Sequence, residues 1–240
     1  MFAGPNGSGK STLNSIISRA LLGVYINADE IEKEIKKNGF LDLYHYGITS
    51  DKKTVLSFFK NHPLLIKADF DDRDQLKFTD NKIDFAGVDV NSYYASVCAD
   101  FIRHALLEAK VSFTFETVMS SRDKVDFLKK AQDAGYRTYL YFIATQDPLV
   151  NISRVHNRVK LGGHGVPRDK IVSRYYRSLE LLHEAVKYSS RAYIFDNSGT
   201  DRLWIAQINN GEEFTFKSDT IPEWVDKYLL KDQSGLRSLF

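Results

Sequence analysis

Apolar positions along this chain fall into short runs and helical stripes that alternate over most of its length. Leu13, Ile16, Ile17 and Leu21 recur at helical spacing and predict a helix over 10–22, and Val24, Tyr25 and Ile26 then read as a short buried strand. A second helix begins at Asp29, runs through Ile31 and Ile35 and stops near Gly39. From Phe40 to about Val90 the pattern breaks into bursts such as Phe58-Phe59 and Leu64-Leu65-Ile66, separated by charged stretches such as Asp69-Phe70-Asp71-Asp72-Arg73-Asp74. This stretch reads as an insertion. Order returns at Asn91 and Ser92, good caps for a helix whose stripe of Tyr94, Val97, Cys98, Phe101, Ile102, Ala105 and Leu106 repeats at i, i+3, i+4 and i+7. The stripe places Cys98 in a core.

Residues 111–116 read as a strand, 122–134 as a helix ended by Gly135, and 136–144 as a strand rich in aromatic and β-branched residues. A helix after Asp147-Pro148 runs to about Leu161, then Gly162-Gly163-His164-Gly165-Val166-Pro167 leads into a long helix ending near Ser189. Two helices joined by a glycine hinge predict a mobile lid. Tyr193, Ile194 and Phe195 form another strand, after which 203–208, Asn210-Gly211 and 214–216 predict a hairpin with a primed turn, followed by a surface helix over 221–230. Alternation of strand and helix implies an α/β fold of three layers, with a central parallel sheet, a helical lid and an insertion after the second helix. The expected organisation is one domain over 1–240, with the insertion at about 40–90 and a C-terminal hairpin plus helix at about 202–231.

Composition narrows the picture. With 240 residues, 43% of them hydrophobic and 13% aromatic, the chain can bury one sizeable core. Lys and Arg number 33 against 31 for Asp and Glu, so the net charge of +2 argues against wholesale nucleic-acid binding. A single cysteine, Cys98, excludes an internal disulfide, and no Cys/His cluster has zinc spacing, so a reducing cytoplasm is the expected compartment. No apolar run approaches the roughly 18–20 residues that cross a bilayer, and a soluble chain without membrane contact is expected.

Candidate chemistry begins at the N-terminus. Gly4-Pro5-Asn6-Gly7-Ser8-Gly9-Lys10-Ser11 fits the phosphate-binding loop pattern G-x-x-x-x-G-K-[ST] at every fixed position, and Thr12 extends it. Glycines let backbone N–H groups turn toward phosphate oxygens, the following helix N-terminus adds positive potential, Lys10 reaches the β- and γ-phosphates, and Ser11 can hold Mg2+. ATP and Mg2+ are thus the expected ligands. Only Met1, Phe2 and Ala3 precede the loop, so either the strand leading into it is unusually short or further residues precede Met1. No Asn-Lys-x-Asp guanine-reading pattern is present, and no apolar run ends in Asp-Glu, which leaves a kinase ahead of a switch or motor.

Asp29 lies just beyond the second strand, at the sheet edge where α/β ligands bind. A carboxylate there suits a general base for an acceptor hydroxyl, and equally a helix N-cap. Glu116 and Thr117 end the strand that follows the insertion, fit either to hold the acceptor or a water-mediated Mg2+, or to cap a turn. Arg154 and Arg158 share one helical face, and Arg168, Arg174 and Arg177 follow across the glycine segment. Guanidinium groups suit a transferring phosphoryl group, although any one of these arginines also suits a solvated ion pair. Arg158 and Arg174 are the chosen pair. His164 is placed either against substrate or in the hinge, and Asp196-Asn197-Ser198-Gly199 either wraps adenine or forms a plain turn.

Taken together, these segments resemble the zeta-toxin family of P-loop kinases. The matching residues are Phe2 through Thr12, Asn27-Ala28-Asp29-Glu30-Ile31, Phe115-Glu116-Thr117, and Arg158 through Gly162-Gly163-His164-Gly165-Val166-Pro167 to Arg174-Tyr175-Tyr176-Arg177-Ser178-Leu179. The resemblance covers roughly 1–39 and 91–200. It implies phosphorylation of a UDP-activated amino sugar such as UDP-N-acetylglucosamine on the sugar 3′-hydroxyl, and a small helical antitoxin as partner. By the same resemblance Asp29 is the base, Lys10, Arg158 and Arg174 handle phosphates, and Glu116 and Thr117 help hold the acceptor, with His164 the further candidate for acceptor binding. Two departures stand out. The best-known toxins carry Asp-Gly-Asp and then an arginine where this chain has Asn27-Ala28-Asp29 and then Glu30-Ile31, and the insertion at about 40–90 has no counterpart. Two rival readings stay open: another nucleoside, sugar or polynucleotide-end kinase, and a non-catalytic ATP-dependent protein-binding module.

Overall fold

Strands of two to seven residues and helices of at most seventeen follow one another in the computed structural model, which describes residues 1–15 and 17–231. In chain order the first part contains β1 (Phe2–Ala3), α1 (Arg19–Leu22), β2 (Val24–Ile26), α2 (Ala28–Asn38), β3 (Phe40–Asp42), α3 (Lys52–Lys60), α4 (Pro63–Lys67), β4 (Lys77–Thr79), β5 (Lys82–Asp84) and α5 (Ser92–Glu108). The second part contains β6 (Phe113–Thr117), α6 (Asp123–Asp133), β7 (Tyr139–Ala144), α7 (Pro148–Lys160), α8 (Arg168–Glu180), α9 (Leu182–Lys187), β8 (Arg191–Asp196), β9 (Leu203–Asn209), β10 (Glu213–Phe216) and α10 (Glu223–Tyr228). The fold is mixed α/β, with helices flanking a seven-stranded sheet of order β10-β9-β8-β7-β1-β6-β2. The pairs β2–β6, β6–β1, β1–β7 and β7–β8 are parallel, and β9 and β10 join antiparallel.

The chain divides into two compact units, one of Met1–Ser18 with the residues from Glu116 onward, the other Arg19–Phe115. In the first, β1 is fully buried and lies between β6 and β7, as a strand feeding a phosphate loop should. Leu140 and Phe142 of β7 and Ala192 and Ile194 of β8 are buried, alternating with the half-exposed Tyr141 and Tyr193, whose rings stack at 4.6 Å. Inside the second unit the stripe of α5 is buried as its spacing predicts, Cys98 included, in a core that also takes Ile31 and Ile35 of α2 and Phe59 of α3. No described helix is long and apolar enough to cross a membrane.

Two expectations are corrected, and the region at about 40–90 gains detail. The helix over 10–22 is instead a 3-10 turn at Lys10–Ser15 and the separate α1, and Ile16 lies outside the described residues. The Thr12 hydroxyl bonds back to Gly9 O at 2.7 Å and its N–H to the same carbonyl at 3.0 Å, which tightens the first turn, and Leu21 is 77% exposed, so no apolar stripe spans the stretch. The long helix ending near Ser189 is two helices broken at Leu181. Its buried row, Ile171, Tyr175, Ser178 and Leu182, stays in register across the break, which hides it from periodicity. The insertion holds more order than its pattern predicts: a three-stranded antiparallel sheet β3-β5-β4, in which Leu41, Ile83 and Phe78 pair across the strands as one buried row.

The C-terminal hairpin has positive φ at Asn210 (49°) and Gly211 (77°), as a primed turn requires. Its ladder resumes only at Glu213, so Glu212 is an extra residue in the loop.

Candidate functional site

Loop 4–11 leaves β1 and is held by side chains from neighbouring elements of the same unit. Gly7 (φ 76°) and Gly9 (φ 100°) take the left-handed backbone region. A Cβ on Gly7 would stand 2.6 Å from Asn151 O, and one on Gly9 would stand 2.5 Å from Asn197 Nδ2, so both positions exclude a side chain by contact as well as by conformation. Lys10 Nζ donates to Gly4 O (2.8 Å) and Pro5 O (3.0 Å), arching over the loop. Asn151 Nδ2 donates to Asn6 O (2.7 Å), and Asn197 Nδ2 to Ser8 O (2.8 Å). Ser8 is fully buried, with no hydrogen-bond partner for its hydroxyl. Thr12 Oγ1 receives Arg202 Nη1 at 3.0 Å.

Ser11 Oγ lies 3.5 Å from Glu116 Oε2, which brings together two of the residues singled out from the sequence. Thr117, next on β6, turns its hydroxyl to accept Met119 N (3.0 Å), a local turn contact. Loop 196–199 is fixed by Asp196, whose buried carboxylate accepts Trp224 Nε1 (2.7 Å), Ser198 N (2.9 Å) and Ser198 Oγ (2.9 Å). Tyr175 of α8 donates to Thr145 O (2.6 Å) at the end of β7, and burial pushes its phenol above the usual tyrosine range.

At the predicted hinge, Gly163 N bonds Arg158 O (2.9 Å) and Gly162 N, at φ 82°, bonds Val159 O (2.9 Å). These paired bonds are a Schellman stop for α7, so the two glycines end a helix. Arg158 Nη2 donates to His164 O (2.7 Å), tying the exposed guanidinium to the loop beyond the stop. Arg154 is placed differently: its Nη2 reaches Gly199 O at 3.1 Å, and its buried Nη1 has no hydrogen-bond partner. Arg174, half-buried on α8, makes no hydrogen bond or ion pair among the described residues.

In the other unit, Asn27 caps α2 and its side chain accepts Asp29 N at 2.9 Å, so the alternative of Asp29 as the N-cap is removed. The Asp29 carboxylate is exposed in the first helical turn, just past the carboxyl end of β2, without a hydrogen bond or ion pair among the described residues. An open groove of about 720 Å³ in this unit is lined by Thr54, Phe58, His62 and Asp100, and no sequence-predicted site residue borders it. Among the described residues no group of three or more His, Cys, Asp or Glu side chains gathers as a metal cluster.

Sequence reasoning missed Asn151 and Arg202. Asn151 carried a readable signal, since it sits four residues before buried Val155 on the inward row of α7, where an apolar residue is expected.

Comparison with known proteins gives a consistent picture. The family model described as Zeta toxin matches residues 84–209. An uncharacterized protein of Haemophilus influenzae is 28% identical over 72 residues, which cover 30% of this chain and 51% of that protein. The chain therefore spans about half the length of the curated relative it matches. Among solved structures, the complex AvrRxo1-ORF1:AvrRxo1-ORF2 with sulphate ions is similar at TM-score 0.53 and 15% identity, over 95% of this chain and 62% of that one. The same complex with ATP is similar at TM-score 0.50 and 15% identity, over 90% and 60%. At such identity the likeness concerns the fold.

Proposed function

Because this chain belongs to the zeta toxin family, we propose that it is an ATP- and magnesium-dependent kinase, whose acceptor is a hydroxyl of a UDP-activated amino sugar. The observation that carries the reading is the loop 4–11, where carbonyls are drawn to side-chain donors while the N–H groups of Gly7 and Gly9 meet no acceptor among the described residues. Such a loop fits an anion rather than a cation. The solved relative that carries ATP in its complex supports the choice of nucleotide.

In this reading the loop amides and Lys10 hold the ATP phosphates, and Ser11 with Glu116 would hold Mg2+. Mg2+, when bound, would offset the charge of the β- and γ-phosphates. Asp29, with its carboxylate free of a capping role, accepts the proton of the acceptor hydroxyl as the new O–P bond forms. The bond from the γ-phosphorus to the bridging oxygen breaks, and ADP leaves with the electron pair. Arg158 and Arg174 would stabilise the charge on the transferring group, while Thr117 and His164 would orient the acceptor, with Glu116 beside them if it does not hold the metal. A small helical antitoxin is the proposed partner and the cytoplasm the proposed compartment.

The test is ADP release from ATP and Mg2+ in the presence of UDP-sugars, nucleosides or oligonucleotide ends. Stimulation by a UDP-amino sugar is expected. Stimulation by another acceptor would move the substrate class, and slow release that no acceptor stimulates would sink the kinase reading.

A further inference from the structure

Five carbonyl groups of loop 4–11 accept side-chain donors. Lys10 takes Gly4 O and Pro5 O, Asn151 takes Asn6 O, Asn197 takes Ser8 O, and Thr12 takes Gly9 O. Two of these donors are neutral amides that lie far away in sequence, outside the phosphate-loop pattern. Asn151 is fully buried near the start of α7, and its Oδ1 pairs with the Thr145 hydroxyl, which leaves its Nδ2 to face Asn6 O. Asn197 follows β8, and its own N–H is anchored on Ala144 O at 2.8 Å.

A trans peptide is planar, with its C=O and N–H pointing in opposite directions. Fixing Asn6 O against Asn151 therefore turns the Gly7 N–H away from that side, and fixing Ser8 O against Asn197 does the same for Gly9 N–H. Neither N–H finds an acceptor among the described residues. At Gly9 the glycine and the strap are matched, because the Asn197 amide occupies the space that a Cβ would need; at Gly7 that space is taken by the Asn151 main chain. A loop without straps would be free to rotate these peptides and present carbonyl oxygens to the anion, a repulsive arrangement.

We infer that Asn151 and Asn197 are positioning residues, which hold the peptides 6–7 and 8–9 with their N–H groups aimed at the phosphates of the nucleotide. The inference rests on the kinase reading above and deepens it. Its effect is confined to the phosphate end of the ligand, and that separates it from general support of the fold.

The experiment is isothermal titration of the whole chain with three probes: ATP, inorganic tripolyphosphate and adenosine. Asn151→Ala and Asn197→Ala are each expected to weaken ATP and tripolyphosphate about tenfold, the loss of one hydrogen bond's worth of preorganisation, with adenosine changed by less than about twofold. Asn197→Gln, which keeps the donor, is expected to recover most of the affinity. If Asn151→Ala fails to fold, Asn197→Ala with its Gln counterpart decides alone. Unchanged tripolyphosphate binding in Asn197→Ala, or an equal loss for adenosine, overturns the inference. Absence of ATP and tripolyphosphate binding by the unmodified chain overturns the kinase reading itself.

Discussion

Ser11 Oγ and Glu116 Oε2 stand 3.5 Å apart, although 105 positions separate them along the chain. The pairing follows from β1 and β6 being parallel neighbours, with Phe2 opposite Glu116, so the end of one strand meets the loop that leaves the other. A hydroxyl and a carboxylate oxygen are both hard ligands of the kind that Mg2+ takes. Glu116→Gln is accordingly expected to raise the Mg2+ concentration for half-maximal turnover about tenfold, with nucleotide binding in the absence of metal unchanged. A Mg2+ titration of turnover checks this, and an unshifted curve would assign Glu116 to the acceptor or to the β6 turn alone.

Arg174 and Arg158 differ in how they are engaged. Arg158 is committed to His164 O, whereas Arg174 is half-buried on α8 and unengaged among the described residues. A guanidinium without a ground-state partner suits charge that develops only during transfer. Arg174→Ala is expected to lower kcat about a hundredfold with little change in the Kd for ATP. Single-turnover rates beside equilibrium titration would check it; equal losses in both would place Arg174 in ground-state binding.

How much of this was legible in the sequence depends on how each element is stabilised. The stripe of α5 and the loop 4–11 were readable because one rests on periodicity and the other on a fixed spacing of glycines with Lys10 and Ser11. The small sheet β3-β5-β4 was not, because each strand buries only its middle residue, Leu41, Phe78 or Ile83, between polar or half-exposed neighbours. Three residues give no measurable alternation. Its hairpin turns at Asp80-Asn81, both at positive φ, a weaker signal than Asn-Gly. At Gly162-Gly163 composition marks a helix end but cannot reveal the bonds to Arg158 O and Val159 O that close it. The composition of 196–199 marks a loop, but the bond from Asn197 to Ser8 O depends on two segments 189 positions apart.

Trp224 and Asp196 form a buried pair, 3% and 5% exposed. Trp224→Phe keeps an aromatic ring but trims the indole and removes the donor to Asp196 Oδ2, leaving that oxygen with Ser198 Oγ. A loss of about 1–3 kcal/mol in unfolding free energy is expected, measured by circular dichroism in urea. A loss near zero would mean that Ser198 already satisfies the carboxylate.

Cys98 offers a pH-dependent check on the core of the second unit. Burial pushes its thiol well above the ordinary value of 9.0, so the folded chain keeps the proton that the unfolded chain releases. The stability this contributes is present below the unfolded value and is lost as pH rises above it toward the folded one. Tyr94 and Tyr175 act in the same direction at higher pH, since burial raises both phenols. Stability is therefore expected to decline above about pH 9, with a shallower decline in Cys98→Ala. Urea titrations across that range check it, and identical slopes in the two proteins would contradict the burial of the thiol.

Transfer of labelled γ-phosphate from ATP with Mg2+ to UDP-N-acetylglucosamine, beside Asp29→Asn as control, separates kinase action from its alternatives. Label on the sugar nucleotide is expected with the unmodified chain, and its near-complete loss in the control, where the base is gone but ATP still binds. Label that persists in Asp29→Asn would contradict the role of Asp29, and ATP consumed with label found only in free phosphate would contradict kinase action on this acceptor.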